Sequence, residues 1–304
     1  MENRSGPRMR PQQLRCVAAK LRYDLVAKIA FAGSGHPGGS LSLVELLTVL
    51  YYGGIMKYNP KKPKKPDRDR LVMSKGHGSP CLYVVLADLG FFPEKWLKEF
   101  DMSGGRLPKH CDRFKTPGIE ASTGALGQGI SIAVGMALAE GLDKKNRYHI
   151  YCIVSDGECQ SGNLWEAAMS ASKYRLDNLT VIVDNNGLQA DGPTDEVMPL
   201  GVLREKWQAF GWHAVECDGH ETGDILRAFN ETRNIKHKPQ VVIAHTVKGK
   251  GVSFMENEPN WHSAPITPDL AKKALAELEK ELDEGYCHVA GFLDDDEHEA
   301  LRGK

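Results

Sequence analysis

Two polar clusters in this sequence carry more chemistry than a turn requires. The first reads Ser155-Asp156-Gly157-Glu158 and the second Asp184-Asn185-Asn186-Gly187-Leu188. Each ends a short apolar, β-rich run, and the segment between them has the pattern of a helix. An acidic residue and an amide thirty positions apart, each at the tip of a strand, can converge on one hard cation that takes oxygen ligands. A backbone carbonyl after Gly187 supplies a third oxygen. Positions then remain for water and a phosphate ester, as Mg²⁺ prefers. Strand ends also collect Asp, Asn and Gly because turns need them; two clusters joined by a strand-helix-strand unit point to the metal.

Histidine supplies the second constellation. His36 lies in SGHPGG, His77 in SKGHGS, His110 in a stretch without period, and His262 in WHSAP. All four are flanked by Gly, Ser or Pro in loops, or lie in an irregular loop, rather than on an apolar helix face. Imidazoles held on tight loops suit hydrogen bonding to hydroxyls or phosphate and proton transfer near neutral pH. The phosphate loop pattern G-x-x-x-x-G-K-[ST] is absent, and Gly124-x-x-Gly127-x-Gly129 is not the dinucleotide fingerprint, so neither standard nucleotide site is expected.

The elements that must position these residues follow from periodicity. Helices are expected from Gln12 to about Ala32, from Ser42 to Tyr52, and after Gly78 through Tyr83 and Leu86. Residues Tyr58 to Asp69, rich in Pro and Lys, read as an exposed, solvated connection. Ser103 to Gly118 reads as a long loop of functional character. Gly127 to Gly141 is apolar around its whole circumference, the pattern of a helix buried on several sides. Strands are then expected at Tyr148–Val154, Leu179–Asp184, Val215–Asp218 and Val241–Val247, with helices Asn163–Tyr174 and Gly223–Glu231 between them. Near-continuous apolar strands alternating with helices argue a doubly wound α/β fold, a parallel sheet with helices on both faces. Ligands of such a sheet bind beyond the carboxyl ends of its strands, where both polar clusters lie. Pro268–Glu284 is a last amphipathic helix, so the expected domain is 12–284 with a solvated tail at 285–304.

Composition narrows the partners. The chain has 304 residues, 41% apolar and 26% charged, with 39 Lys and Arg against 40 Asp and Glu. That balance gives no field to gather nucleic acid or an acidic membrane. No run approaches the ~18 apolar residues of a membrane span, and the start, MENRSGPRMRP, lacks the apolar segment of a secretory signal. Seven scattered cysteines with no zinc spacing read as reduced thiols. A cytoplasmic protein is expected.

The motifs resemble the thiamine diphosphate enzymes, and among them the transketolases. Asp156-Gly157 followed by Asn185-Asn186 looks like the diphosphate-anchoring motif of that superfamily. SGHPGGSLS, DRLVMSKGHGSP, TPGIEASTGALGQG and HTVKGKG followed by WHSAP are similar, in order and context, to the transketolase N-terminal domain over about residues 12–266. The resemblance implies that Asp156, Asn186 and the main-chain carbonyl of Leu188 hold Mg²⁺ or Ca²⁺, which bridges the two phosphates of thiamine diphosphate. Gly157, with Glu158 beside it, borders the diphosphate. His77 and His262 lie against the diphosphate and thiazolium, and Gly124, Ala125 and Leu126 line the thiamine. His36, His110 and His262 face the sugar as its C2–C3 bond breaks. The cofactor is the electron sink; the protein positions it.

Full transketolases are more than twice this length, and the remaining domains supply the glutamate and aromatic pocket for the aminopyrimidine. The resemblance therefore implies the diphosphate-binding subunit of a split enzyme, active only with a C-terminal, pyrimidine-binding partner subunit, in a heterotetramer acting on sugar phosphates. Three positions depart from the family pattern: Ser155 replaces a Gly, Ser161 a common glutamate, and Lys109 a Gly or Pro beside His110. Two other readings remain open at this point: a subunit of a 2-oxo acid dehydrogenase or decarboxylase, which shares the metal motif, and a non-catalytic cofactor-binding subunit.

Overall fold

The computed structural model describes residues 8–142 and 147–283. The expected tail at 285–304, with Cys287, lies outside them. Five strands, β1 (Arg70–Met73), β2 (Ile150–Ser155), β3 (Leu179–Asn185), β4 (His213–Asp218) and β5 (Gln240–His245), form one sheet in the order β1-β2-β3-β5-β4. Every pairing is parallel. The helices are α1 (Pro11–Ala32), α2 (Pro37–Leu41), α3 (Val44–Tyr52), α4 (Ser79–Asp88), α5 (Gln128–Leu142), α6 (Gly162–Lys173), α7 (Thr194–Val197), α8 (Leu203–Ala209), α9 (Thr222–Thr232) and α10 (Pro268–Asp283).

Alternation along each strand divides the core into two layers. Tyr151 and Ile153 of β2 pack with Ile182, Val242 and the apolar faces of α1, α3, α4 and α9. Ile150, Cys152 and Val154 face the other way, toward Val181, Val183, α5, α6 and Trp207 of α8. Because both faces are covered, the strands are apolar throughout, and the doubly wound expectation holds. Helix ends follow local rules. Pro11 opens α1 at its first position, and Gly33 closes it at φ 63°, where a side chain would be strained.

Several boundaries differ from the periodicity. Strand β1 was not expected: its four residues are too few to display a period, and Arg70 begins it directly after the Lys-rich segment. Strand β5 stops at His245, which frees Thr246 to turn its hydroxyl to Asp184 at the tip of β3. Helix α5 is not enclosed. Ile130, Ala133 and Ala137 are buried, but Ile132 is 37% and Leu142 85% exposed, so an apolar composition here marks a face left uncovered by the described residues. Exposed Met169 and Tyr174, on and just after α6, extend the apolar surface. The six described cysteines are free and buried, and no helix among the described residues is long and apolar enough to cross a membrane.

Candidate active site

The register Ser155↔Asp184 sets the tips of β2 and β3 side by side. Asp156, fully buried, joins them: its Oδ1 accepts from Gly157 N at 2.8 Å and its Oδ2 from Gly187 N at 2.6 Å. Burial, with the charge of Asp184 behind it, pushes the Asp156 carboxyl up to about 6. Asn186 donates through Nδ2 to Asp184 at 3.3 Å, and its Oδ1 accepts from Leu188 N at 3.1 Å. Gly187 takes φ 75°, the left-handed turn that brings the Leu188 carbonyl round. At Gly157 a Cβ would lie 2.9 Å from the Gln189 side chain, so the strand tip can be this close only as glycine.

Behind the tips lies a buried ion pair between Lys75 and Asp184, both fully buried. Lys75 also donates to the Gly39 carbonyl at 2.9 Å. Asp184 receives the hydroxyls of Ser42, at 2.6 Å, and Thr246. Burial alone would raise the Asp184 carboxyl; Lys75 and these hydroxyls outweigh it and hold it below its ordinary value. A second lysine, Lys248, donates to the carbonyls of Leu188 at 3.4 Å and Gln189 at 3.2 Å, and to Nδ1 of His262 at 3.1 Å. Burial, with Lys75 nearby, lowers its ammonium to about 8.

The four histidines converge from four separate segments. The His36 ring centroid lies 5.7 Å from that of His77, 5.4 Å from His110 and 5.7 Å from His262, and His77 lies 5.0 Å from His262. His36 precedes α2, and His77 sits in the 3-10 turn Gly76–Gly78 that leads into α4. His110 hangs on the long loop, which Tyr83 pins through the carbonyls of Pro108 and His110 at 2.9 and 3.4 Å. His262 ends the 3-10 turn Pro259–His262. Gly39 is what admits His77: a Cβ there would meet its ring at 2.9 Å. Burial depresses all four imidazoles, His36 and His262 to about 4, and neighbouring cations and imidazoles push the same way. They are neutral near pH 7 and can donate from one nitrogen and accept at the other. Nδ1 of His36 is buried without a partner among the described residues.

Of the three positions expected to line the thiamine, Gly124 borders this cluster. A Cβ on Gly124 would touch the His110 ring at 3.4 Å, while Ala125 and Leu126 are exposed. Glu158 is placed differently from its neighbours. Its buried carboxylate accepts from the Ser74 hydroxyl, Gly127 N at 2.6 Å and Ser155 N at 3.4 Å, so it bolts the 124–127 loop to the β2 tip. The departures from the family pattern have visible roles in two cases. Ser155 Oγ accepts from Glu158 N at 3.1 Å, and Lys109 Nζ is engaged by Asp101 at 3.4 Å.

The donor chemistry suits a divalent ion and a diphosphate. Among the described residues no group of three or more His, Cys, Asp or Glu could hold a metal; the predicted set is instead a carboxylate, an amide oxygen and a backbone carbonyl, the hard oxygen donors Mg²⁺ and Ca²⁺ take. The carbonyls of Leu188 and Gln189 already face a cation, the Lys248 ammonium. Lys248 and the neutral imidazoles nearby offer donors to an anion. Reasoning from sequence missed Lys75 and Lys248, and it placed Asp184 in the second polar cluster without assigning it a partner. Both lysines stand in quoted motifs, SKGHGSP and HTVKGKG, but nothing in a sequence marks a lysine as buried.

Comparison with known proteins gives this geometry a family. Residues 14–286 match the family described as transketolase, thiamine diphosphate binding domain. The chain is 47% identical over 265 residues to the 6-deoxy-6-sulfo-D-fructose transketolase subunit SqwG of Clostridium sp. (strain MSTE9), covering 87% of this chain and 94% of that one. It is 42% identical over 275 residues to an apulose-4-phosphate transketolase subunit of Phocaeicola vulgatus, covering 90% and 97%. The solved transketolase of Campylobacter jejuni superposes with a TM-score of 0.83 at 31% identity, over 97% of this chain and 48% of that one. The chain thus spans about half the length of that transketolase but nearly all of the two named subunits. With a match this long and identities this high, the chain belongs to the transketolase family, in its thiamine diphosphate-binding domain.

Proposed function

We propose that this chain is the diphosphate-binding subunit of a two-subunit transketolase that passes a two-carbon glycolaldehyde unit from a ketose to an aldose. The observation that carries this reading is the convergence of His36, His77, His110 and His262, with centroids 5.0 to 5.7 Å apart, beside the paired tips of β2 and β3. Its relatives' names speak for the transferase rather than for a 2-oxo acid dehydrogenase. Those names also favour a donor ketose that bears an anionic group, phosphate or sulfonate.

In this reading Asp156, Asn186 and the Leu188 carbonyl hold Mg²⁺, and His77, His262 and Lys248 border the diphosphate, with Gly157 leaving it room. Bound thiamine diphosphate supplies the electron sink for breaking the ketose C2–C3 bond. On the diphosphate side the chain's own residues bind and orient. The Asp184–Lys75 pair fixes the tip that carries Asn186. Gly124, Ala125 and Leu126 line the thiamine. Neutral His36, His110 and His262 bind sugar hydroxyls and carry protons to and from them.

A C-terminal, pyrimidine-binding subunit completes the site, in a heterotetramer with two sites. Support comes from the word subunit in the relatives' names and from the uncovered apolar side chains of Leu126, Ile132, Met169 and Tyr174, which a partner would bury. Reduced, buried thiols accord with a cytoplasmic location. The test is to purify the chain with its partner and assay a panel of ketose donors with aldose acceptors. Thiamine-dependent two-carbon transfer is expected from the pair and none from either polypeptide by itself; no transfer across phosphorylated and sulfonated donors would refute the assignment.

A further inference from the structure

The Lys- and Pro-rich segment 58–69, expected to be a solvated connection, has a second role. With residues 113–120 it lines an open cleft of about 950 Å³, the size of a small-molecule site. Six lining residues are cations, Lys62, Lys64, Lys65, Arg68, Arg113 and Lys115, against one acid, Glu120. Glu120 is paired with Arg68, and Lys65 with Asp67 at 2.9 Å. Among the described residues no carboxylate pairs with the side chain of Lys62, Lys64, Arg113 or Lys115. In a chain of net charge −1, this is a marked local concentration of one sign.

Both walls are stiff. Pro63 and Pro66 line one and Pro117 the other, each with a fixed φ. Lys65 N donates to the Lys62 carbonyl at 3.0 Å. Across the cleft, Thr116 N donates to Asp112 O at 3.2 Å and Thr116 Oγ1 to Arg106 O at 2.6 Å. A stiff frame spares a ligand the cost of ordering the loops. At the rim Phe114 is 87% exposed, with the Arg113 guanidinium carbon 5.4 Å from its ring centroid. Such a pair can stack on a planar base.

We propose that this cleft binds a small anion carrying two or more phosphates, a nucleoside polyphosphate or a bare polyphosphate, at a site separate from the candidate active site. Spaced cations on a rigid frame match a chain of phosphates better than a single one, because each phosphate meets its own charge-assisted donors. The inference is independent of the transketolase reading, since none of the cleft's residues belongs to the strand-tip site.

The test is calorimetric titration of the full chain with ATP and, separately, with inorganic tripolyphosphate at 0.15 M salt, each with and without excess thiamine diphosphate and magnesium. Saturable binding of at least one anion is expected, unaffected by the coenzyme. In the chain carrying both Lys64→Glu and Lys115→Glu, at two exposed positions, affinity should fall by at least about tenfold. If ATP binds more tightly than tripolyphosphate and Phe114→Ala removes the difference, the ligand is a nucleotide; equal affinities assign a bare polyphosphate. No saturable binding, binding abolished by thiamine diphosphate, or binding untouched by the double substitution would each overturn the proposal.

Discussion

The ammonium of Lys248 stands 3.1 Å from Nδ1 of His262. An ammonium only donates, so Nδ1 must accept, and the neutral imidazole carries its proton on Nε2. One lysine therefore sets the tautomer of a candidate catalytic histidine while it also holds the Leu188 and Gln189 carbonyls at the tip of the second polar cluster.

In the enzyme reconstituted with its partner, Lys248→Met should lower kcat/KM by about 10²-fold, the lower range for a positioned acid or base. His262→Ala should do similar damage, and the double variant little more than either alone. Steady-state kinetics on the four proteins measures the coupling, expected at about 2–3 kcal/mol. Additive losses would mean that the ammonium and the imidazole act separately.

Asp156→Ala should abolish saturable uptake of thiamine diphosphate with magnesium while circular dichroism and the monodisperse state stay unchanged. The reason is local: Asp156 is the only carboxylate among the three proposed metal ligands, and its two oxygens tie the strand tips together through Gly157 and Gly187. Undiminished uptake would remove the strand-tip site from consideration.

Much of this site is legible in the sequence because its parts are loops of special residues at the ends of strongly apolar strands. Asp156, Asn186 and the four histidines stand out through their Gly, Ser and Pro neighbours, and β2 and β3 through their near-continuous apolar runs. What escapes is whatever depends on a non-local partner. The Lys75–Asp184 pair joins residues 109 positions apart, and the sheet order places β5 between β3 and β4 although β4 comes first in the chain. Helix α5 shows the opposite failure. Its apolar circumference is real, but composition does not tell burial in the chain from burial under a partner.

Cofactor affinity should depend on pH through Asp156. Burial and Asp184 raise its carboxyl to about 6, and only the ionised form can ligate a metal. Affinity for thiamine diphosphate with magnesium should therefore be level above about pH 6.5 and fall by up to about tenfold per pH unit below 6. The sign for the ligand-free chain is opposite: a carboxyl raised above its unfolded value of 3.8 loses stability as pH climbs from about 4 to 6. Asp156→Asn removes the titrating group, so the ligand-free variant should lose less stability than the parent between pH 4 and 6, whatever its absolute stability. Binding that is flat from pH 5 to 8 would argue that Asp156 is already ionised throughout.

Glu158→Gln should destabilise the fold by about 1–3 kcal/mol, the cost of a buried hydrogen-bonding group left mismatched. Its carboxylate accepts from Ser74, Gly127 and Ser155, and an amide would turn one of those acceptors into a donor facing a donor. Urea unfolding measures the loss. Since Gly127 closes the loop that carries Gly124, Ala125 and Leu126, thiamine diphosphate should also bind more weakly; a stability change with unaltered cofactor affinity would separate the loop from the cofactor.

Acid should unfold the protein partly through Glu45. Arg22 and Glu45 form a buried ion pair, 2% and 6% exposed, and Glu45 Oε2 lies 3.0 Å from His220 Nδ1. His220 Nε2 accepts from Val247 N at 2.8 Å, so Nδ1 carries the proton and donates to the carboxylate. Burial alone would raise the Glu45 carboxyl; Arg22 and His220 outweigh it and hold it at about 2, against 4.5 ordinarily. A depressed carboxylate contributes stability that is full above the unfolded value and drains away as pH falls from about 4.5 toward 2. The drop of roughly 2.5 pH units corresponds to about 3 kcal/mol. Glu45→Gln should therefore be less stable than the parent at pH 7, because the buried Arg22 keeps only the half-exposed Glu281, 3.6 Å away, as counter-charge, and should show a shallower loss of urea midpoint between pH 4.5 and 2. Identical slopes in the two proteins would assign the acid sensitivity to other carboxylates.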